Sequence, residues 1–186
     1  MREDKIASDD KLVFTKDNPD NISKVLSRYK NILIRGVWGV GKITNSVKAL
    51  KDNSNLYYLG NPVDFEGKQR PGSYEKYLKY ISSLKKNMII VEDIQSLFNI
   101  ENEIVLIIDE IYGRSDAQLE QIKKLLDKEN IQVVQIVGCL KNMKNLIAKM
   151  DIVLDLHQDG AIAVDKELAN AICRIFDSCG RLRDKE

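Results

Sequence analysis

Nine residues, Gly36-Val37-Trp38-Gly39-Val40-Gly41-Lys42-Ile43-Thr44, follow the apolar run Asn31-Ile32-Leu33-Ile34-Arg35. A glycine-rich loop that ends in lysine, set between a strand and a helix, can wrap a phosphate chain: its amides converge on the oxygens, and its lysine reaches the β and γ phosphates. Glycine is needed there because the loop turns back through backbone angles that other residues resist. Contacts to phosphate are therefore expected from Gly36, Trp38, Gly39, Val40, Gly41, Lys42, Ile43 and Thr44. One position departs from the pattern. The residue after the lysine is expected to be Ser or Thr, whose hydroxyl binds Mg²⁺, but it is Ile43, and Thr44 comes one place late.

A second constellation lies further along, where Ile104-Val105-Leu106-Ile107-Ile108 ends in Asp109-Glu110. A carboxylate at the end of a neighbouring strand can hold Mg²⁺ through water, and a second one can polarise an attacking water. Asp109, with Thr44 as a substitute hydroxyl, is the expected metal pair. Glu110 is the expected catalytic carboxylate, and Lys42 the catalytic cation.

The elements that must position these groups are legible as alternating strands and helices. A short helix with Ile22, Val25, Leu26 and Tyr29 inward follows the turn or cap cluster Asn18–Asn21 and leads into the strand at 31–35. The helix from the loop runs to Leu50, and Leu56-Tyr57-Tyr58-Leu59 forms the next strand. Gly60 to Gly72, with two of the chain's three prolines, reads as a long irregular loop at that strand's carboxyl end. Tyr74, Tyr77, Leu78, Ile81 and Leu84 recur at helical spacing and are expected to pack on a sheet. Further strands are expected at Met88–Val91, Ile104–Ile108, Ile131–Val137, Ile152–Leu156 and Ala161–Val164, the last pair joined at Gln158-Asp159-Gly160 as an antiparallel hairpin. Helices are expected after Ser115-Asp116, from about Lys141 to Met150 and over 165–177. The continuous apolar run at 104–108 implies a strand buried on both faces. The whole is an α/β chain, a mostly parallel sheet with helices on both faces, in one domain over 1–186 with 1–12 and 181–186 loosely held.

Composition excludes several classes. Hydrophobic residues make up 44% and charged residues 31% of 186, an ordinary globular balance. With 29 Lys+Arg against 28 Asp+Glu the net charge is +1, which gives no global case for nucleic acid or an anionic membrane. The first ten residues hold no apolar leader and the longest apolar runs are far too short to span a bilayer, so a cytoplasmic location is expected. Cys139, Cys173, Cys179 and His157 have no metal-ligand spacing and are expected to be inert.

The loop Gly36–Thr44 and the pair Asp109-Glu110 resemble the Walker A and Walker B motifs of P-loop NTPases. The acid after the Walker aspartate is similar to that of the additional-strand, catalytic-glutamate division, which includes AAA+ and RecA-type ATPases. The order of strands from Asn87 onward, ending in Met150–Leu156 and Asp159-Gly160, resembles RecA, RadA and KaiC cores. This resemblance implies a three-layer P-loop NTPase fold, ATP and Mg²⁺ as cofactors, and an oligomeric partner. It departs in three places. The basic Lys-x-Arg of that lineage is replaced by Asp165-Lys166-Glu167, and its glutamate after the second strand is replaced by Asn61, Asp64 and Glu66. No helical lid follows the core, as AAA+ would require.

The reading that follows is an ATPase driving a conformational or assembly change. Its alternative is a regulatory or degenerate nucleotide-binding subunit, favoured by Ile43; a small phosphotransferase ranks third. Arg114 is a candidate arginine finger, and Gln135 or Asn142 a candidate γ-phosphate sensor. The lysines at 123, 124, 128, 141, 144 and 149 are expected to form a solvated helix face rather than a nucleic-acid surface.

Overall fold

The computed structural model describes residues 24–37, 39–62, 71–111, 113–138, 144–157 and 160–164. Trp38, Asn142, the cap cluster at 18–21, the three cysteines, the turn residues 158–159, the terminal helix expected at 165–177 and both chain ends lie outside these. The elements, in chain order, are β1 (Asn31–Arg35), α1 (Lys42–Ala49), β2 (Leu56–Leu59), α2 (Pro71–Leu84), β3 (Ile89–Ile90), a 3₁₀ helix (Ile94–Asn99), β4 (Ile104–Asp109), α3 (Asp116–Leu126), β5 (Ile131–Val137), α4 (Lys144–Ile147), β6 (Ile152–His157) and β7 (Gly160–Val164).

All seven strands join one sheet in the order β3-β2-β4-β5-β1-β6-β7. The six from β3 to β6 run parallel, and β7 lies antiparallel on β6 with Leu154 opposite Ala163. β5 is inserted between β1 and β4. Their registers pair Arg35 with Val137 and Asp109 with Ile136, so the glycine loop and Asp109 leave the sheet at the same carboxyl edge. Two strand spacings, about 10 Å, separate them.

Strand alternation sorts the core into two layers of side chains. Leu33, Leu106, Ile108, Val133 and Val153 meet Ile122 and Leu125 of α3, Ile147 of α4 and Leu97 of the 3₁₀ helix on one face. Ile32, Ile34, Val105, Ile107, Val134 and Ile136 meet Val47 of α1 and Ile81 of α2 on the other. Helices thus cover both faces, the arrangement that a parallel sheet of continuous apolar strands requires. All six residues of β4 are buried.

Local chemistry fixes the element ends. Ser115 caps α3 in a reciprocal capping box with Gln118. α2 begins at Pro71, so Gly72 lies in its first turn and the irregular stretch expected to reach Gly72 ends earlier; proline is favoured at that position because the missing amide would have no helical partner anyway. At the amino edge Asp151 Oδ2 accepts from the amides of Lys30 (3.0 Å) and Asn31 (2.8 Å), and Asn31 Nδ2 donates to Leu126 O at 3.0 Å. These bonds tie β1 to β6 and α3.

Two substitutions separate core from surface. Ile107→Ala, at a fully buried site, is expected to cost about 2–5 kcal/mol in urea unfolding. Glu120→Ala, on the solvent side of α3, is expected to stay within about 0.5 kcal/mol.

Candidate functional site

The loop after β1 is built around its glycines. A Cβ at Gly36 would lie 2.5 Å from the carbonyl oxygen of Leu156, so only glycine lets the loop leave β1 against the end of β6. Gly39 and Gly41 take φ of 81° and 85°, the left-handed region. Gly41 is the N-cap of α1 and supplies no side chain to it, and the helix has no acid in its first turn. The first amides of α1 are therefore left without side-chain acceptors, in a concave turn suited to an anion.

Lys42 lies against this turn. Its Nζ donates to the carbonyl oxygens of Gly36 (2.6 Å) and Val37 (3.1 Å). Burial lowers its pKa, and Glu110 and Asp109 oppose the shift. The charges of those two carboxylates act on the loop lysine, in keeping with the loop and the end of β4 leaving the sheet at the same edge. Val40 is buried beneath the loop, while Val37 stands exposed.

Asp109 is buried at the end of β4. Its Oδ2 accepts hydrogen bonds from the hydroxyls of Tyr58 (2.8 Å) and Tyr77 (2.9 Å). Burial raises the Asp109 pKa, opposed first by those two hydroxyls and then by Lys42 and Arg114. Both tyrosines are themselves raised, first by burial and then by the Asp109 charge, so they remain neutral donors. Glu110 follows with φ 41°, a left-handed conformation that is costly for a residue with a side chain. Its backbone is held there by its amide on Ile136 O (2.9 Å) and by Arg114 Nε on its carbonyl (3.0 Å).

Arg114 does not project as a finger. Its Nη2 donates to the carbonyls of Gly60 (2.9 Å) and Asp109 (3.1 Å), and burial lowers its pKa. Gly60 is closely packed, since a Cβ there would lie 2.3 Å from the Tyr74 hydroxyl and displace that side chain. Gln135 is no sensor either: it is fully buried within the sheet, and its Nε2 donates to Ile108 O at 3.1 Å. We have no physical account of its buried Oε1, which lacks a hydrogen-bond partner.

The metal assignment meets a different chemistry. Ile43 packs against the apolar layer under α1 and α2. The hydroxyl of Thr44 lies 2.9 Å from that of Tyr80 on α2, whereas Asp109 is engaged by Tyr58 and Tyr77. Among the described residues no three His, Cys, Asp or Glu side chains converge on a point. Mg²⁺ demands near-octahedral oxygen ligation. Here the position that would supply its hydroxyl is apolar, and one oxygen of the neighbouring carboxylate, Asp109 Oδ2, carries two phenols. These residues do not fit the metal; those of the loop do fit a phosphate chain.

Sequence reasoning missed Tyr58 and Tyr77 as members of the site, and it singled out Arg114 as a finger, whereas Arg114 braces the ends of β2 and β4. A signal existed for the tyrosines, because a buried phenol needs a hydrogen-bond partner and Asp109 ends the strand beside Tyr58. Of the lysines expected on a solvated face, Lys123 pairs with Glu120, Lys149 pairs with Asp127 at 2.5 Å, Lys128 lies over the Phe98 ring, and Lys124 is exposed. No helix of the described residues is long and apolar enough to cross a membrane. A comparison with protein-family models and with curated proteins finds no match, so the geometry carries the functional argument.

The raised Asp109 pKa has a consequence for stability. A carboxyl whose folded value exceeds its ordinary 3.8 contributes stability that is fully present below 3.8 and lost as the pH rises through the folded value. Asp109→Asn, which keeps an acceptor for both phenols, is therefore expected to have a higher Tm than the parent at pH 7. The gap should close as the pH falls toward 3.8, followed by thermal unfolding across a pH series.

Proposed function

We propose that this chain is an ATP-binding P-loop protein of the additional-strand, catalytic-glutamate class. The observation that carries this reading is Lys42, seated on the carbonyls of the glycine loop and electrostatically coupled to Asp109 and Glu110 across the inserted strand β5. The strand order supports the class, because β5 lies between the loop strand and the Asp-Glu strand. In this reading the amides of Gly39 to Ile43 meet the β-phosphate. Lys42 releases the loop carbonyls and donates to phosphate oxygens, an exchange of neutral acceptors for charged ones.

Between the two versions of that function, regulation is favoured over rapid turnover. Hydrolysis finds support in Glu110, held in a strained backbone at the position from which a carboxylate takes a proton from attacking water. The regulatory version is favoured by Ile43 and by Asp109, whose surroundings do not fit the metal that hydrolysis ordinarily uses. Binding then changes the contacts that join the loop to α2, where Thr44 meets Tyr80 and Asp109 meets Tyr77. The phosphotransferase reading gains no support from the described residues.

Lys42→Ala is expected to weaken ATP at least about tenfold in calorimetric titration, the loss of a charged hydrogen bond. An unchanged affinity would remove the loop from the binding site.

A further inference from the structure

We propose that the loop takes its nucleotide without a divalent cation and prefers the diphosphate, the hydroxyls of Tyr58 and Tyr77 occupying the place beside Asp109 that a metal would otherwise organise. The proposal rests on the nucleotide-binding reading above and concerns what that site accepts.

Three features converge. Ile43 stands where a metal-binding hydroxyl is expected, and its side chain joins the same apolar layer as Tyr77 and Val47. Asp109, buried in the sheet, has its Oδ2 committed to two phenolic donors from different elements, one on β2 and one on α2. A metal-bound water donating to Oδ2 would compete with both phenols, and displacing them would leave a buried and a half-buried hydroxyl without acceptors. The third feature is charge. Lys42 and Arg114 are the cations that act on Asp109, and Arg114 is spent on the carbonyls of Gly60, Asp109 and Glu110.

The choice between diphosphate and triphosphate follows from this balance. The β-phosphate is served by the loop amides and Lys42, none of which needs a metal. In the nucleotide reading above, a γ-phosphate extending beyond the loop would approach the Asp109-Glu110 end of β4, which leaves the sheet at the same edge. With no divalent ion between them, like charges face each other at low dielectric. The third phosphate then adds repulsion rather than affinity, and the site becomes a sensor of nucleoside diphosphate.

The experiment is a titration of the full chain with ADP and with ATP, each in excess Mg²⁺ and in EDTA, followed by calorimetry and by the fluorescence of Trp38, the single tryptophan. The expected result is an ADP Kd that differs by less than about threefold between Mg²⁺ and EDTA, with ATP in EDTA binding no tighter than ADP. Tightening of either nucleotide by more than about tenfold in Mg²⁺ overturns the proposal and leaves the nucleotide reading intact. Absence of binding in all four arms defeats the nucleotide reading and the proposal with it. The double variant Ile43→Thr with Tyr77→Phe, its fold checked by circular dichroism, is expected to gain a Mg²⁺ response of about tenfold for ATP. Tyr77→Phe alone, which frees one acceptor site on Asp109 and leaves the apolar layer filled, is expected to gain a smaller one. A folded variant with no Mg²⁺ response counts against the tyrosines.

Discussion

The site depends on one buried carboxylate. Asp109 ends the central strand β4 in surroundings that penalise its charge, and it is held by two phenols and by the fields of Lys42 and Arg114. Each partner comes from a different element: Tyr58 from β2, Tyr77 from α2, Lys42 from the first turn of α1, Arg114 from the segment before α3. The carboxylate therefore joins four parts of the chain at one edge of the sheet. Removing any one partner takes a compensating donor or charge from a buried carboxylate.

The same constraint explains how the glycine loop is oriented. β5 sets the separation between β1 and β4, and the shared carboxyl edge brings the Lys42 ammonium within the electrostatic reach of Asp109 and Glu110. The ammonium donates to the loop's own carbonyls, those of Gly36 and Val37. Glu110, in a left-handed backbone fixed by Ile136 and Arg114, is strained where function is expected to concentrate strain. Helix α2 reaches the loop helix through Tyr80 and the β4 carboxylate through Tyr77. Rearrangement at either contact is thus felt along one rigid element.

Much of this was legible in the residues. The run Ile104–Ile108 read as a doubly buried strand because no polar side chain interrupts it, and β4 is buried throughout. The loop glycines read correctly because backbone geometry leaves few alternatives at Gly39 and Gly41. What remained hidden depends on contacts distant in sequence. Tyr77 was read as packing on the sheet, and it does pack there; the destination of its hydroxyl is set by the neighbourhood of β2 and β4, which periodicity does not encode. Arg114 was read as a candidate finger, whereas three backbone carbonyls at strand ends draw it inward. Pro71-Gly72 read as the end of an irregular loop because prolines cluster in that stretch, yet proline at a first helical position begins a helix.

The central claim is that the phosphate chain sits on the loop between β1 and α1. A different cleft, of about 540 Å³, opens at the opposite edge of the sheet between Arg28, Asn53 and Asn130, and it provides an internal control. Backbone amide chemical shifts of the isotopically labelled chain on addition of ADP test the claim most directly. The expected result is that the largest changes fall on Gly39, Gly41, Lys42 and Ile43, with smaller ones at Asp109 and Glu110. Changes confined to Asn53, Asn55 and Asn130, with the loop amides unmoved, would contradict it.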